Sequence, residues 1–181
     1  MFLKKKRWKM ISMGRNCWPR KLLKSQFGLS KKNNYKSCPF DLCITPFSSL
    51  CSILENNFNN FFDGLELVDT YYNAEGDRTN AGPGFKIIKN KAGMIFNHES
   101  PNHSHLFREG KNDDFFYTKN NFKQLKIRYI RRIANFKNVL KKNKYIIFVY
   151  NEPGFDENII KKLIFKNYGF KYIRFRSVKF I

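Results

Sequence analysis

The feature that most constrains the fold is the apolar run Tyr145–Tyr150, which lies between two amphipathic helical patterns. A strand without polar residues is typical of a parallel sheet, because helices cover both of its faces. The pattern before it predicts a helix at about 118–142, and a shorter helix that carries Ile159, Ile160, Leu163 and Ile164 is expected to end near Tyr168-Gly169. A last strand is expected at about 171–178. This alternation of strands and helices predicts right-handed crossovers and a mainly parallel sheet.

The long helix carries an apolar stripe whose residues lie three or four positions apart. They are Phe122, Leu125, Tyr129, Ile133, Phe136 and Leu140. Lysines and arginines fill much of the remaining surface. A basic amphipathic helix can lie on a membrane or on RNA, but the length and aromatic content of this stripe favour packing against a sheet.

Near the start of the chain, a strand at about 8–13 is followed by Gly14, Cys17 and Pro19. Gly14 permits a tight turn and Pro19 suits the first turn of a helix, so we expect Cys17 where a short helix begins. The free N–H groups and the positive end of a helix favour thiolate over thiol, and thiolate is the nucleophile. Cys17 is therefore a candidate nucleophile. The alternative is that it is a small buried hydrophobic residue.

The middle of the chain has the pattern of one helix followed by short strands. Thr45 is expected to cap a helix, whose apolar spacing continues until Gly64. Strand character follows at 65–72, although its alternation is imperfect. A further short strand is expected at 93–97, and it delivers His98 at its end.

Four strands are expected to form one mainly parallel sheet in a three-layer α/β sandwich. They lie at about 8–13, 93–97, 144–150 and 171–178. With 181 residues the chain can bury a core of its own, so we expect a single domain 1–181 with a basic flank at 1–7. In such folds the active groups gather outside the carboxyl ends of the strands, where both Cys17 and His98 are predicted.

Several short blocks resemble one protein family, in the family's order. They are Ile11-Ser12-Met13-Gly14-Arg15-Asn16-Cys17, Phe27-Gly28-Leu29, Ser37-Cys38-Pro39-Phe40-Asp41, Ile95-Phe96-Asn97-His98, Tyr129–Phe136 and Tyr145–Val149. Together they are similar to the putative papain-like cysteine peptidases, over residues 11 to about 150. The resemblance implies a Cys and His pair. It also implies the alternative α+β papain-like fold, in which a helical half carries the cysteine and a barrel-like half carries the histidine.

A cysteine nucleophile needs a base within hydrogen-bond reach. His98 is the preferred base, because it matches the family block and ends a predicted strand. Unperturbed histidine titrates near neutral pH, which suits proton exchange with a thiol. His103 and His105 are less suited, because they lie in a polar loop. The alternative for His98 is that it merely ends a strand in solvent.

The remaining groups of the candidate site are Asp41, Asn16 and the Cys17 amide. Asp41 could orient the imidazole, or its carboxylate could bond backbone N–H groups in a turn. Asn16 and the Cys17 amide are the nearest candidate oxyanion donors. Such a site predicts a peptidase, isopeptidase or acyltransferase that forms a thioester on a peptide or other acyl substrate, without a cofactor.

The net charge of +21 normally indicates a nucleic acid or an anionic membrane as partner. The excess is mostly lysine, in company with abundant Asn, Ile, Phe and Tyr, which is the usage that an AT-rich genome imposes. We therefore expect weak, salt-sensitive and non-specific polyanion binding. The alternative function is a non-catalytic module for nucleic acid or another polyanion, in which basic side chains contact phosphates and aromatic ones stack on bases.

Four cysteines are present, Cys17, Cys38, Cys43 and Cys51, without a Cys-x-x-Cys pair. No apolar stretch suits a signal peptide or a membrane span, so we expect reduced thiols and a cytoplasmic location. We also expect a monomer. A zinc site that combines Cys38, Cys43 and a distant histidine is conceivable. No second pair with zinc-ligand spacing accompanies it, so we expect no metal site.

Overall fold

The structure is a computed structural model, and it describes residues 8–69, 86–101, 103–104, 106, 113–151 and 154–177. Its strands are β1 (Lys9–Ser12), β2 (Glu66–Asp69), β3 (Lys86–Lys89), β4 (Tyr145–Tyr150) and β5 (Tyr172–Ser177). Its α-helices are α1 (Trp18–Phe27), α2 (Phe47–Glu55), α3 (Lys119–Lys142) and α4 (Glu157–Tyr168). Short 3-10 turns lie at Lys31–Asn33 and Asn97–Glu99.

The main sheet has three parallel strands, with β4 between β1 and β5. Phe148 of β4 pairs with Ile11 on one side and with Phe175 on the other. Phe148 has no exposed surface, as expected for the middle strand of a covered sheet. The predicted strands near the start of the chain, at Tyr145–Tyr150 and after α4 are confirmed.

The helices show why these segments fold as they do. The Asp156 carboxylate accepts hydrogen bonds from the N–H groups of Asn158 and Ile159 and so caps α4. In α3 the predicted stripe is confirmed from Leu125 onwards, because its members are buried in the core. Residues 120–122 have left-handed backbone angles, so the regular helix begins after them.

The helix predicted from Thr45 to Gly64 is shorter than expected. Pro46, not Thr45, is the residue before its first turn, and α2 ends at Glu55. Turns occupy 56–64, because Asn57 and Phe58 have left-handed φ angles of 47° and 68° that no α-helix can continue. The apolar spacing persists through these turns, since Phe58 and Phe61 still point into the core.

The predicted strand at 93–97 is wrong, because a tight turn occupies its first part. The side chain of Asn90 accepts a hydrogen bond from the Met94 N–H at 2.9 Å, and Gly93 has a left-handed φ of 86°. Ile95 then forms isolated antiparallel bridges with Ile44 and Lys89 and joins no named strand. The mainly parallel sheet therefore lacks its fourth expected member among the described residues.

A second, two-stranded sheet pairs β2 and β3 in antiparallel fashion. The strand predicted at 65–72 is confirmed for Glu66–Asp69, and its last residues lie outside the described part. The fold is thus a mixture of helices and strands with one parallel and one small antiparallel sheet, consistent with the α/β class. The three-layer arrangement stays a prediction. Among the described residues, no helix combines the length and the apolar composition that a bilayer crossing requires.

Candidate active site

Cys17 lies at the N-cap of α1, where the sequence predicted it. A Cβ atom at Gly14 would overlap the ring of Pro19, so the close turn that presents the cysteine needs glycine at this position. The Cys17 carbonyl accepts the first helical hydrogen bond, from the Lys21 N–H at 3.0 Å. The cysteine is half-buried.

Asn16 holds this turn from the side of the main sheet. Its buried side-chain oxygen accepts hydrogen bonds from the Trp18 N–H at 2.9 Å and from the Asn151 amide at 2.7 Å. The Asn151 oxygen in turn accepts from the Arg15 N–H at 3.0 Å. The two asparagines thus tie the cysteine turn to the carboxyl end of β4. Through these contacts Asn16 positions the turn that carries Cys17. The oxyanion role of Asn16 stays a prediction.

Asp41 holds α1 from a second direction. Its buried carboxylate accepts hydrogen bonds from the Cys38 N–H at 2.9 Å and from the Tyr35 hydroxyl at 3.1 Å, and Arg20 Nε of α1 lies 3.7 Å away. Burial raises the pKa of the Asp41 carboxyl to about 6, although the Cys38 N–H and then Arg20 oppose this effect. These contacts match the interpretation of Pro-Phe-Asp as a turn.

The segments that carry Cys17 and His98 meet at one short stretch of chain. The Thr45 N–H donates to the Arg15 carbonyl at 2.7 Å, two positions before the cysteine. The preceding residue, Ile44, exchanges two backbone hydrogen bonds with Ile95, three positions before the histidine. His98 itself is half-buried in the turn Asn97–Glu99. The stretch Ile44–Thr45 therefore anchors both segments of the candidate site.

A buried charged cluster, which sequence reasoning missed, follows His98 directly. Glu99 is fully buried, and Tyr129 donates a hydrogen bond to its Oε2 at 2.9 Å. Arg128 Nε and Arg132 Nη1 lie 2.8 and 3.5 Å from its Oε1, as charge contacts rather than aligned hydrogen bonds. Helix α3 thereby fixes the turn that carries His98.

A comparison with known protein families matches residues 8–166 to a family described as putative papain-like cysteine peptidases. The chain belongs to this family. The matched region contains Cys17, Asp41 and His98. Neither a search of curated proteins nor a search of solved structures found a match to the chain.

For a member of a cysteine peptidase family, the state of each thiol matters. Burial raises the pKa of Cys38 well above its usual value, with a further contribution from the Asp41 charge. Burial also raises the pKa of Cys43, whose Sγ lies 2.8 Å from the Tyr129 hydroxyl oxygen. Tyr129 has one hydrogen and donates it to Glu99, so the Cys43 thiol donates to Tyr129. Both are neutral structural thiols, which leaves Cys17 and Cys51 as the half-buried ones.

Of the two other histidines, the structure describes His103. His103 follows the turn at Ser100, to whose carbonyl its N–H donates at 3.1 Å, and His105 lies outside the described residues. In the described part of the chain, no group of three or more His, Cys, Asp or Glu residues could hold a metal ion.

Two buried hydroxyl groups flank the cysteine turn. Ser12 ends β1, and Thr45 bonds Arg15 through its backbone, yet neither side-chain oxygen has a hydrogen-bond partner among the described residues. Unpartnered polar groups are rare in protein interiors. Sequence reasoning missed Asn151 as well. A polar residue directly after a central parallel strand was the signal available for it.

Proposed function

We propose that this protein is a cysteine-dependent hydrolase of peptide, isopeptide or other acyl bonds, with Cys17 as nucleophile and His98 as base. The position of Cys17 carries the proposal: it is a half-buried thiol at the first turn of α1, beside the carboxyl end of the parallel sheet. The first turn of α1 contains no acidic residue. Family membership supports cysteine chemistry.

In the proposed reaction His98 takes the proton of the Cys17 thiol, and the sulfur forms a bond to the acyl carbon. The bond from this carbon to the leaving amine breaks, and the amine takes the proton from His98 as it departs. Water, deprotonated by His98, then attacks the thioester carbon. The carbon–sulfur bond breaks, which releases the acid and restores the thiol. An amine in place of this water would give acyl transfer.

The neighbouring groups have supporting roles in this proposal. The Trp18 N–H is already bound to Asn16, so we assign the developing oxyanion to the Cys17 N–H. Asn16 is the positioning residue that joins the turn to β4. Asp41 acts through Arg20 and holds α1 in place, since its carboxylate contacts that side chain, Cys38 and Tyr35.

Alkylation with iodoacetamide at neutral pH, read by peptide mass spectrometry, tests the nucleophile. We expect Cys17 to react first, before the half-buried Cys51 and well before the buried Cys38 and Cys43. His98→Ala should slow the labelling of Cys17, because the base that accepts its proton is lost. His103→Ala is the matched control and should leave the rate unchanged.

Hydrolysis of 4-nitrophenyl acetate, a simple acyl probe, tests the reaction itself. Cys17→Ala should abolish thiol-dependent turnover without loss of the folded state, because a half-buried side chain at a turn contributes little packing. Cys51→Ala should retain turnover. Equal labelling of Cys17 and Cys51, or full turnover by folded Cys17→Ala, would contradict the proposal.

A further inference from the structure

A row of aromatic rings crosses the main sheet on one face. Trp8 lies before β1, and its ring centroid is 5.3 Å from that of Tyr145 on β4. Tyr145 stacks on Tyr172 of β5 at 5.0 Å, and Phe170 meets Tyr172 edge-on at 5.1 Å. The row becomes more exposed towards β5: Tyr172 is 49% and Phe170 66% exposed. The inner rings hold Tyr172 in a fixed orientation at the edge of the sheet.

Two arginines share this face with the rings. Side chains alternate along a strand, so Arg174 and Arg176 of β5 point to the same side as Tyr172. Arg174 lies over the ring of Trp8, 4.6 Å from its centroid, and Arg176 lies 5.0 Å from that of Phe27. Both arginines are exposed. Guanidinium groups and aromatic rings are therefore interleaved across this face.

A cavity of about 400 Å³ adjoins the outer end of the row. Its lining shares Phe170 and Tyr172 with the row and adds Phe165, which is 62% exposed. Three lysines complete its charged lining: Lys161, Lys162 and Lys171. Among the residues that the structure describes, no acidic side chain lines the cavity. Exposed rings and positive charges thus surround one concave site.

We propose that this surface binds single-stranded nucleic acid. The aromatic–basic surface, as we call it, consists of Phe165, Phe170, Tyr172, Arg174, Arg176 and the three cavity lysines. Bases stack on the exposed rings, and phosphates contact the lysines and arginines, the combination that single-strand binding uses. The protein's net charge of +21 complements a polyanion. This binding activity is separate from the proposed hydrolase activity.

The arrangement favours a single strand over two other polyanionic surfaces. In a duplex the faces of the bases are stacked on each other, so rings on a protein surface cannot reach them. On a membrane, the rings would have to enter the apolar layer together with Arg174 and Arg176, and burying those charges is costly. A single strand offers unstacked bases to the rings and phosphates to the charges.

Fluorescence anisotropy with a fluorescein-labelled oligothymidylate and the full chain tests the proposal. Phe170→Ala leaves the charge unchanged, and we expect it to weaken binding about fivefold or more, since one stacked base contributes at least ~1 kcal/mol. Phe115→Ala is the matched control. Phe115 is another exposed phenylalanine, 46% accessible, outside the surface, and its loss should have no effect.

A second pair of variants tests the charges. Lys162→Ala should reduce the slope of log affinity against log salt by about 0.7, the value for one phosphate contact with a single strand. Lys123→Ala removes an exposed lysine from α3 and should change the slope less. Equal effects of Phe170→Ala and Phe115→Ala, or of the two lysine variants, would overturn the proposal in favour of non-specific attraction.

Two further probes identify the partner class. Duplex DNA of the same length should bind more weakly than the single strand and should not respond to Phe170→Ala. Vesicles of phosphatidylserine and phosphatidylcholine should not distinguish Phe170→Ala from the unchanged protein. If the variant loses vesicle binding and keeps oligothymidylate binding, the surface is a membrane contact and the proposal is wrong.

Discussion

Replacement of Asp41 by asparagine should remove a pH-dependent part of the protein's stability. Burial raises the pKa of the Asp41 carboxyl to about 6, against about 3.9 in an unfolded chain. The folded state therefore binds the proton of this carboxyl more tightly than the unfolded chain does. The resulting contribution to stability is present below about pH 3.9 and is lost as the pH rises through about 6. A difference of about two pKa units corresponds to roughly 3 kcal/mol of unfolding free energy. About 2–3 kcal/mol of this contribution is lost between pH 4 and pH 7.

Urea unfolding at a series of pH values, with tryptophan fluorescence as the signal, measures this effect. The quantity to follow is the free energy of unfolding of the unchanged protein minus that of Asp41→Asn, because pH effects of other groups cancel in the difference. We expect it to fall by about 2–3 kcal/mol from pH 4 to pH 7. Asp69→Asn is the control, since that side chain is 67% exposed and surface substitutions usually change stability by at most about 0.5 kcal/mol.

The opposite slope would refute the reasoning. A difference that rises with pH would mean that Arg20 and the Cys38 N–H outweigh burial and keep the carboxylate ionised in the folded state. A flat difference would mean that the opposing effects cancel. Either result would remove the physical basis for a raised pKa at this position.

Three further substitutions test the supports of the candidate site, each by urea unfolding. Asn151→Ala removes an acceptor and a donor from the buried pair with Asn16 and should cost roughly 1–3 kcal/mol. Tyr129→Phe leaves one oxygen of the buried Glu99 without its donor and should cost a similar roughly 1–3 kcal/mol. Gly93→Ala forces a side chain into a left-handed conformation at φ 86° and should cost roughly 1–3 kcal/mol. If any variant loses less than about 0.5 kcal/mol of unfolding free energy, the contact or backbone conformation named for it is not important for stability.

The parts of the fold that the sequence predicted well are those with strong local patterns. The run Tyr145–Tyr150 and the stripe that includes Tyr129 are long and periodic, so each indicates both the element and its buried side. The turn at Cys17 was also predictable, because glycine and proline have narrow conformational roles. In these segments local propensity and tertiary packing agree.

The errors arose where a turn interrupts an apolar pattern. The residues after Gly93 look like a strand, but the Asn90 side chain closes a turn there through a hydrogen bond to Met94. Similarly, Phe58 keeps helical spacing while its backbone is left-handed. Hydrophobic periodicity records which side chains are buried, and it does not record how the backbone places them there.

The buried charge pairs that support the candidate site could not be found from local patterns. Glu99 and its partner Tyr129 are 30 positions apart in the chain, and the arginine that pairs with Asp41 lies on another element. On the sequence, Arg132 looks like one more charge on a solvated helix face, although it is 4% exposed. Only the tertiary structure shows that these charges are paired and buried.

The pair of asparagines that holds the cysteine turn has a consequence for biosynthesis. The two hydrogen bonds that join this turn to Asn151 span 135 and 136 positions. A chain made from its N-terminus therefore exposes Cys17 long before the residue that orders its surroundings has been made. Contacts so distant in sequence also form slowly, since a long loop must close first. The candidate nucleophile would thus acquire its final geometry only near the end of folding, and a nascent chain would carry an unorganised thiol.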